Sequence, residues 1–182
     1  MVFDTETNGI GSFRPPTQRL VQLAWIVDGK PKSYLIDDVE EISEGVPHDI
    51  KVEECKEKGH SFVKVIQEFF KDVKGCDILV CHNVDFDIGI IKNELRKRKK
   101  RVSKQEITTF CTMKATKDIC KLPGAYEGSY KYPKLTELYK FLFEKEPDLK
   151  MHDALNDCIV TLECYTKLMS SSKFIFQQTN IE

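Results

Sequence analysis

Residues 78–87 read ILVCHNVDFD. The first four, Ile78, Leu79, Val80 and Cys81, are apolar without alternation, and so short an apolar run is the pattern of a strand covered on both faces. His82 and Asn83 end the run, and a helical pattern follows over about residues 85–99. A strand buried on both faces needs a layer of helices on each side of its sheet, so these ten residues place the chain in the α/β class. They also set His82, Asn83, Asp85 and Asp87 at the carboxyl end of a central strand, where open α/β sheets bind ligands.

Upstream, Phe62, Val65, Ile66, Phe69, Phe70 and Val73 recur at helical spacing behind Ser61, a good cap, and Gly75 stops the helix. A short helix is expected around residues 50–56, ending at Gly59. Residues 20–27 (LVQLAWIV) read as a strand, Asp28-Gly29 as a hairpin turn, and 33–36 as the return strand. Val2 and Phe3 read as a short strand ending at Asp4, followed by a turn over residues 8–11 and a loop over 14–17. Because only three residues precede Asp4, either that strand is short or the natural chain is longer there. Downstream come a strand near 107–111, a helix over 113–121, and a loop over 122–133 with Pro123, Gly124, Gly128 and Pro133. Leu135, Leu138, Tyr139 and Leu142 mark a further helix. A last helix over about 153–169 carries Leu155, Cys158, Ile159, Leu162 and Tyr165 on one face. The order β-β-β, α-β-α-β and then helices gives a mixed sheet, a hairpin beside parallel strands.

With 182 residues, the chain suits one domain, and 41% hydrophobic residues are enough for a core. No apolar run approaches the ~20 residues that span a bilayer. The first residues have neither the basic nor the apolar segment of a secretory signal. Net charge is −1, which by itself neither favours nor disfavours nucleic acid. The seven cysteines are odd in number and none has C-x-x-C spacing. They read as small buried hydrophobes in a reducing compartment, hence an intracellular protein, cytoplasmic or nuclear.

Three acidic clusters stand out. Asp4-Thr5-Glu6 puts two carboxylates at i and i+2, on one face of a strand, an arrangement that is costly without a cation between them. His82-Asn83-Val84-Asp85-Phe86-Asp87 follows the buried strand, with Asn83 placed to cap the next helix. His152-Asp153-Ala154-Leu155-Asn156-Asp157 opens the last helix. Each alone also reads as an ordinary strand end or helix cap. Together they offer four acids and a histidine from three distant segments, the all-oxygen donor set that hard cations such as Mg²⁺ and Mn²⁺ prefer. A pair of such ions stabilises both the attacking and the leaving oxygen in phosphodiester cleavage.

These segments, V-F-D-T-E-T-N-G, H-N-V-D-F-D and H-D-A-L-N-D in that order, resemble the three motifs of the DEDDh family, the DnaQ-like 3′→5′ exonucleases of the ribonuclease H-like fold. The resemblance runs from Val2 to about Leu168. It implies a three-layer fold with a mixed five-stranded sheet and helices on both faces, an exonuclease domain over residues 1–169 and a polar tail over 170–182. The second motif selects Asp87 over Asp85, and the third selects His152 and Asp157 over Asp153. The resemblance further implies that Asp4, Glu6 and Asp157 bind a first Mg²⁺ or Mn²⁺, with Asp4 bridging to a second, and that Asp87 acts on the metals through water. His152 is implied as general base, Thr7 and the backbone near Gly9 as holding the 3′-terminal nucleotide, and Asn83 and Phe86 as shaping the pocket. The implied activity is release of nucleoside 5′-monophosphates from single-stranded or frayed 3′ ends of DNA or RNA. The alternatives are an exoribonuclease or oligoribonuclease, a proofreading subunit of a DNA polymerase, and an inactive nucleic-acid-binding module. A polymerase and a second copy of the chain are candidate partners.

Residues 92–104 (KNELRKRKKRVSK) hold eight basic residues and one acid. The run reads either as a solvated helix end or as a phosphate-contacting patch, and less readily as a nuclear address. In the tail, Phe174-Ile175-Phe176 reads as a contact with the protein's own core or with a partner such as a polymerase.

Overall fold

The structure, a computed structural model, describes residues 1–10, 18–101, 107–171 and 179–181. In chain order these form β1 (Val2–Thr7), β2 (Leu20–Val27), β3 (Lys30–Leu35), α1 (Val52–Lys58), α2 (Phe62–Val73), β4 (Ile78–Cys81), α3 (Val84–Lys97), β5 (Ile107–Cys111), α4 (Thr112–Cys120), α5 (Leu135–Phe143), α6 (Ala154–Ser170) and β6 (Thr179–Ile181). The sheet order is β3-β2-β1-β4-β5-β6. β1, β4 and β5 run parallel, and β2, β3 and β6 are antiparallel to their neighbours. The expected five strands are all present. The tail, read as a polar segment beyond the domain, adds a sixth strand, β6, beside β5. Gly11, the loop over 14–17, residues 102–104 of the basic run and Phe174-Ile175-Phe176 lie outside the described residues.

The sheet separates two cores. On one face Phe3, Leu23, Trp25, Phe69, Ile90 and Ile91 join α2 and α3 to the strands. Trp25 packs edge-on to Phe69 and donates its indole N–H to Asp72 at 2.8 Å, so the buried ring keeps its hydrogen bond. On the other face Val2, Ala24, Val80 and Phe110 meet Ala154 and Cys158 of α6, while Val160 and Cys164 pack against Leu138 and Tyr139 of α5. At the hairpin Asp28 (φ 50°) and Gly29 (φ 71°) both take the left-handed conformation that a two-residue turn needs to match strand twist.

Several expectations need correction. β1 does not end at Asp4 but pairs with the longer β2 as far as Thr7, in register from Val2 to Glu6 and with a one-residue shift between Glu6 and Thr7. β3 begins at Lys30 rather than Ser33, directly after the turn. The buried set of α6 is Ala154, Asp157, Cys158, Val160, Thr161, Cys164 and Leu168, while Leu155, Ile159, Leu162 and Tyr165 are only half-buried. The helix is covered by the sheet on one side and α5 on another, so its deepest stripe is rotated toward small residues that permit close approach. Asn83 occupies the cap position of α3 but in the left-handed conformation (φ 81°), and its side chain makes no capping bond. Ser61 likewise sits at the cap position of α2 without such a bond. No helix among the described residues is long and apolar enough to cross a membrane.

Candidate active site

β1 and β4 pair only at Val2 and Val80. Beyond that point they part, and the gap at the carboxyl end of the parallel strands is the mouth of a cleft of about 430 Å³. Strand alternation sends Asp4 and Glu6 to the α6 face, with Val2, and sends Thr5 to the α3 face, with Phe3. α6 brings Asp157 to the first pair. Ligand atoms of Glu6, His152 and Asp157 lie within 4.8 Å of one another, as do those of Asp4, Cys81 and Asp87. Thus the five residues expected to be catalytic, Asp4, Glu6, Asp87, His152 and Asp157, all line one cleft. Asn83 and Phe86 line it too, whereas Thr7 and Gly9 do not. The Thr7 hydroxyl instead donates to the Gly9 carbonyl at 3.2 Å, and the Thr7 carbonyl accepts from Nε2 of the buried His48 at 2.8 Å.

Asp87 reaches the site from the first turn of α3, round the end of β4. Its Oδ1 accepts from the Thr5 amide (3.1 Å) and the Thr5 hydroxyl (2.6 Å), and its Oδ2 accepts from the Cys81 thiol (3.0 Å). Burial and the charges of Asp87 and Asp4 push the Cys81 thiol well up, so it stays protonated and donates. With two bonds to Oδ1 and one to Oδ2, the accepting capacity that remains lies on Oδ2. Asp157 accepts from the His152 amide at 3.4 Å. His152 itself is exposed, with φ of 65°, a strained left-handed conformation for a residue with a Cβ and one that clusters at functional sites.

The carboxylates are held at an electrostatic cost. Burial, then Asp87, Asp157 and Glu6, push Asp4 well above the ordinary carboxylate range. Burial and the neighbouring acids push Glu6 up to about 8. Burial outweighs the His152 amide and lifts Asp157 to about 7. Asp87 rises to about 6, burial outweighing the donors from Thr5 and Cys81. Among the described residues no lysine or arginine relieves the cluster; the causes that act on it are burial, acids and hydrogen bonds. A crowded, desolvated set of oxygen donors is chemically suited to a hard divalent cation. His152 departs from expectation in one respect. Partial burial, then the neighbouring His48 and Lys134, lower its pKa, while Glu6 and Asp157, themselves raised to about 8 and about 7, are neutral in the range where His152 titrates.

The sequence did not single out Thr5, Cys81 or Gln22, nor the far wall of the cleft, made by Met113, Tyr132, Pro133, Lys134 and Leu135. Thr5 was legible in principle, since alternation turns it away from the acids beside it, toward the helix that carries Asp87. Gln22 sits opposite Glu6 on β2, accepts from the Ala154 amide (3.0 Å) and donates to Asp153 (3.1 Å), which fixes the start of α6 against the sheet. His82 was noted only for its position. Its Nε2 donates to the Pro133 carbonyl (3.0 Å), so in the neutral ring Nδ1 accepts from the Thr112 hydroxyl (2.9 Å). Burial holds the ring neutral, with its pKa pushed down to about 4.

A family model described as exonuclease, the RNase T type, matches residues 1–165. The chain belongs to this exonuclease family. It is a DnaQ-like exonuclease on a ribonuclease H-like fold. Over 199 aligned residues this exonuclease is 26% identical to the DNA polymerase III subunit epsilon of Buchnera aphidicola subsp. Schizaphis graminum (strain Sg), with all of this chain and 79% of that protein aligned. The nuclease domain of 3′hExo, a DEDDh family member solved bound to rAMP, superposes with a TM-score of 0.74 at 10% identity, over 97% of this chain and 94% of that one. Cell-death related nuclease 4 superposes at 0.67 and 12% identity over 92% of this chain, which spans 62% of that protein's length. At such identities the two superpositions speak for the fold alone.

Proposed function

We propose that this exonuclease is a metal-dependent 3′→5′ enzyme that hydrolyses the terminal phosphodiester of a single-stranded or frayed 3′ end and releases a nucleoside 5′-monophosphate. The observation that carries the reading is the convergence of Glu6, His152 and Asp157 beside Asp4 and Asp87, with buried carboxylates whose proton affinities are raised and which no lysine or arginine among the described residues neutralises. Asp4, Glu6, Asp87 and Asp157 are the residues that would hold two Mg²⁺ or Mn²⁺ ions. When bound, such ions supply positive charge that stabilises the attacking and leaving oxygens of the phosphate. His152, neutral near pH 7 because its pKa is lowered, takes the proton from the attacking water. Its exposed position keeps it free to pass that proton to solvent. Asp87 is oriented by Thr5 and Cys81, and Asp157 by the His152 amide, so the donor set is fixed before substrate arrives. Phe86 and Asn83 on one wall leave room for a terminal nucleotide, and Thr7 and Gly9 act at the end of β1 rather than in the lining. Residues 1–169 form the catalytic unit, and seven free thiols suit a reducing compartment.

Digestion of matched DNA and RNA oligonucleotides labelled at either end tests the reading. The 5′-labelled strand should shorten as a ladder while the 3′-label leaves at once as mononucleotide. EDTA should abolish the reaction, and Mg²⁺ or Mn²⁺ should restore it. Full activity in EDTA, or a ladder from the 3′-labelled strand, overturns it. A polymerase-bound proofreading role is a second reading, favoured by the epsilon-subunit relative, and co-sedimentation with a polymerase catalytic subunit tests it.

A further inference from the structure

Three of the chain's six tyrosines fall within residues 126–132, and all three are exposed: Tyr126 by 82%, Tyr130 by 39% and Tyr132 by 49%. Solvent-facing rings in one short loop are a surface with a use, because such a loop can be built from polar residues at no cost to the core. This loop is also rigid. The Gly124 amide donates to Ser129 O (2.9 Å), the Ser129 amide to Tyr126 O (3.0 Å) and the Lys131 amide to Leu122 O (3.0 Å), so the segment is a small closed hairpin. The Ser129 hydroxyl ties the tip, donating to Tyr126 O at 2.6 Å. Gly124 has no room for a side chain, since a Cβ there would lie 2.3 Å from Ser129 Oγ. At the exit, buried Pro133 is pinned by His82 of the second motif. The clamp makes the loop the far wall of the cleft, with Tyr132 and Lys134 in its lining.

Glu127 follows Tyr126 at the exposed tip, but toward the cleft the charge around the rings is carried by lysines. Lys117 sits over the Tyr132 ring at 5.2 Å from its centroid, and Lys134 lines the cleft itself. Lys131, paired with Glu137, and Lys121 lie on the same loop or at its root. A rigid aromatic surface interleaved with lysines is the chemistry that holds unpaired bases by their faces and a phosphate backbone by its charge. In a duplex those faces are already covered by stacking.

We propose that the Leu122 to Lys134 loop is a stacking platform for single-stranded nucleic acid: Tyr132 takes a base of the strand at the cleft rim, Tyr126 a base farther out, and Lys117 and Lys134 the phosphates between. The platform rests on the nuclease reading above and adds to it the surface that grips the unpaired bases upstream of the cleaved bond, independent of sequence because every base has a π face.

The test is an abasic scan. Initial rates are measured with Mg²⁺ on 5′-labelled single strands of about 12 nucleotides, DNA and RNA, each carrying one abasic residue at successive positions near the 3′ end. Tyr132→Ala should lower kcat/KM on the intact strand about tenfold, chiefly through KM, and Tyr132→Phe should restore it. At the position that Tyr132 contacts, an abasic residue should lower the wild-type value to that of Tyr132→Ala and lower the variant no further. Tyr126→Ala should show the same pattern at a position farther from the end. If wild type cleaves but Tyr132→Ala matches it, or the two losses add at every position, the platform is wrong and the nuclease reading stands. If wild type cleaves neither strand, both fall together.

Discussion

Asp4 is the acid on which the most neighbours act: Asp87, Asp157 and Glu6 all raise its pKa on top of its burial. Asp4→Ala should therefore leave less than about 1% of the wild-type cleavage rate. In EDTA the same variant should melt at a higher temperature than wild type, because it removes one of several repelling carboxylates. Asp87→Ala should be similarly inactive. Asp85→Ala should be mild, since Asp85 is an exposed partner of Lys114 and such a surface pair contributes about 0–1 kcal/mol. Equal losses for Asp85→Ala and Asp87→Ala in single-turnover assays would mean that the second motif is misaligned. His152→Ala should slow the chemical step by about 10²–10⁴-fold with little change in metal affinity, the usual share of a general base. Because burial, His48 and Lys134 lower its pKa, the wild-type rate should climb with pH and level off at or below about 6.5. A His152→Ala protein that keeps the rate, or loses metal instead, removes the residue from that role.

Among the elements, α6 carries the third motif, and its first turn is held from two directions. The Asp153 carboxylate accepts from the Leu155 and Asn156 amides at 3.1 Å, and Gln22 on β2 accepts from the Ala154 amide. Asp153→Ala should cost about 1 kcal/mol of stability, the usual loss for a helix cap, with a modest effect on rate. Gln22→Ala should cost a similar amount and also slow cleavage, since Asp157 and His152 ride on the turn that Gln22 fixes. Denaturant melts beside single-turnover rates check both; a Gln22→Ala enzyme with normal kcat would show that the turn positions itself. The motif residues of this turn were legible through the resemblance to the DEDDh motifs, which selects His152 and Asp157; residue type and spacing alone left Asp153 and Asp157 both open. Gln22 was not, because its partner lies more than a hundred residues away. The same holds for Thr5 and Cys81, whose meaning depends on Asp87 arriving from another layer. Periodicity found every helix but misjudged which stripe of α6 is deepest, since small side chains are buried there for close packing rather than hydrophobicity. The basic run shows a related limit. Arg98 faces inward, bonded to Asp38 at 2.5 and 2.7 Å and stacked on Phe62, while its neighbour Glu94 is fully buried against Arg19. α3 also carries these cations about 16 Å from Asp87, eleven residues at 1.5 Å each. Lys131 and Lys134, on a loop without a charge run, stand nearer the cleft.

For the molecule as a whole, the crowded carboxylates make stability depend on pH and on metal together. Glu6 titrates at about 8 and Asp157 at about 7 in the folded protein, against ordinary values near 4 in the unfolded chain. Between those limits the folded state binds more protons than the unfolded state. The contribution of these two groups to the stability of the metal-free protein therefore falls as pH rises from about 4 to about 8. The buried His82, held down to about 4, acts in the opposite sense up to about 6.5, and the raised acids Asp4 and Asp87 act in the same sense as Glu6 and Asp157. The fall from the acids is opposite in sign to a protein held by salt-bridged acids, which loses stability on acidification. A divalent cation replaces the protons, so its binding should release them, and its affinity should rise with pH over the same window. Melting temperatures in EDTA should decline across that range, whereas in excess Mg²⁺ they should be higher and change less, the gap being widest near pH 8. Asp4→Ala should flatten the EDTA profile without abolishing the fold. Calorimetric titration of Mg²⁺ in two buffers of different ionisation enthalpy measures the proton release directly. A metal-free melting temperature that rises between pH 5 and 8, or metal binding without proton release at pH 6, would show that the cluster is not the strained, cation-dependent site its geometry implies.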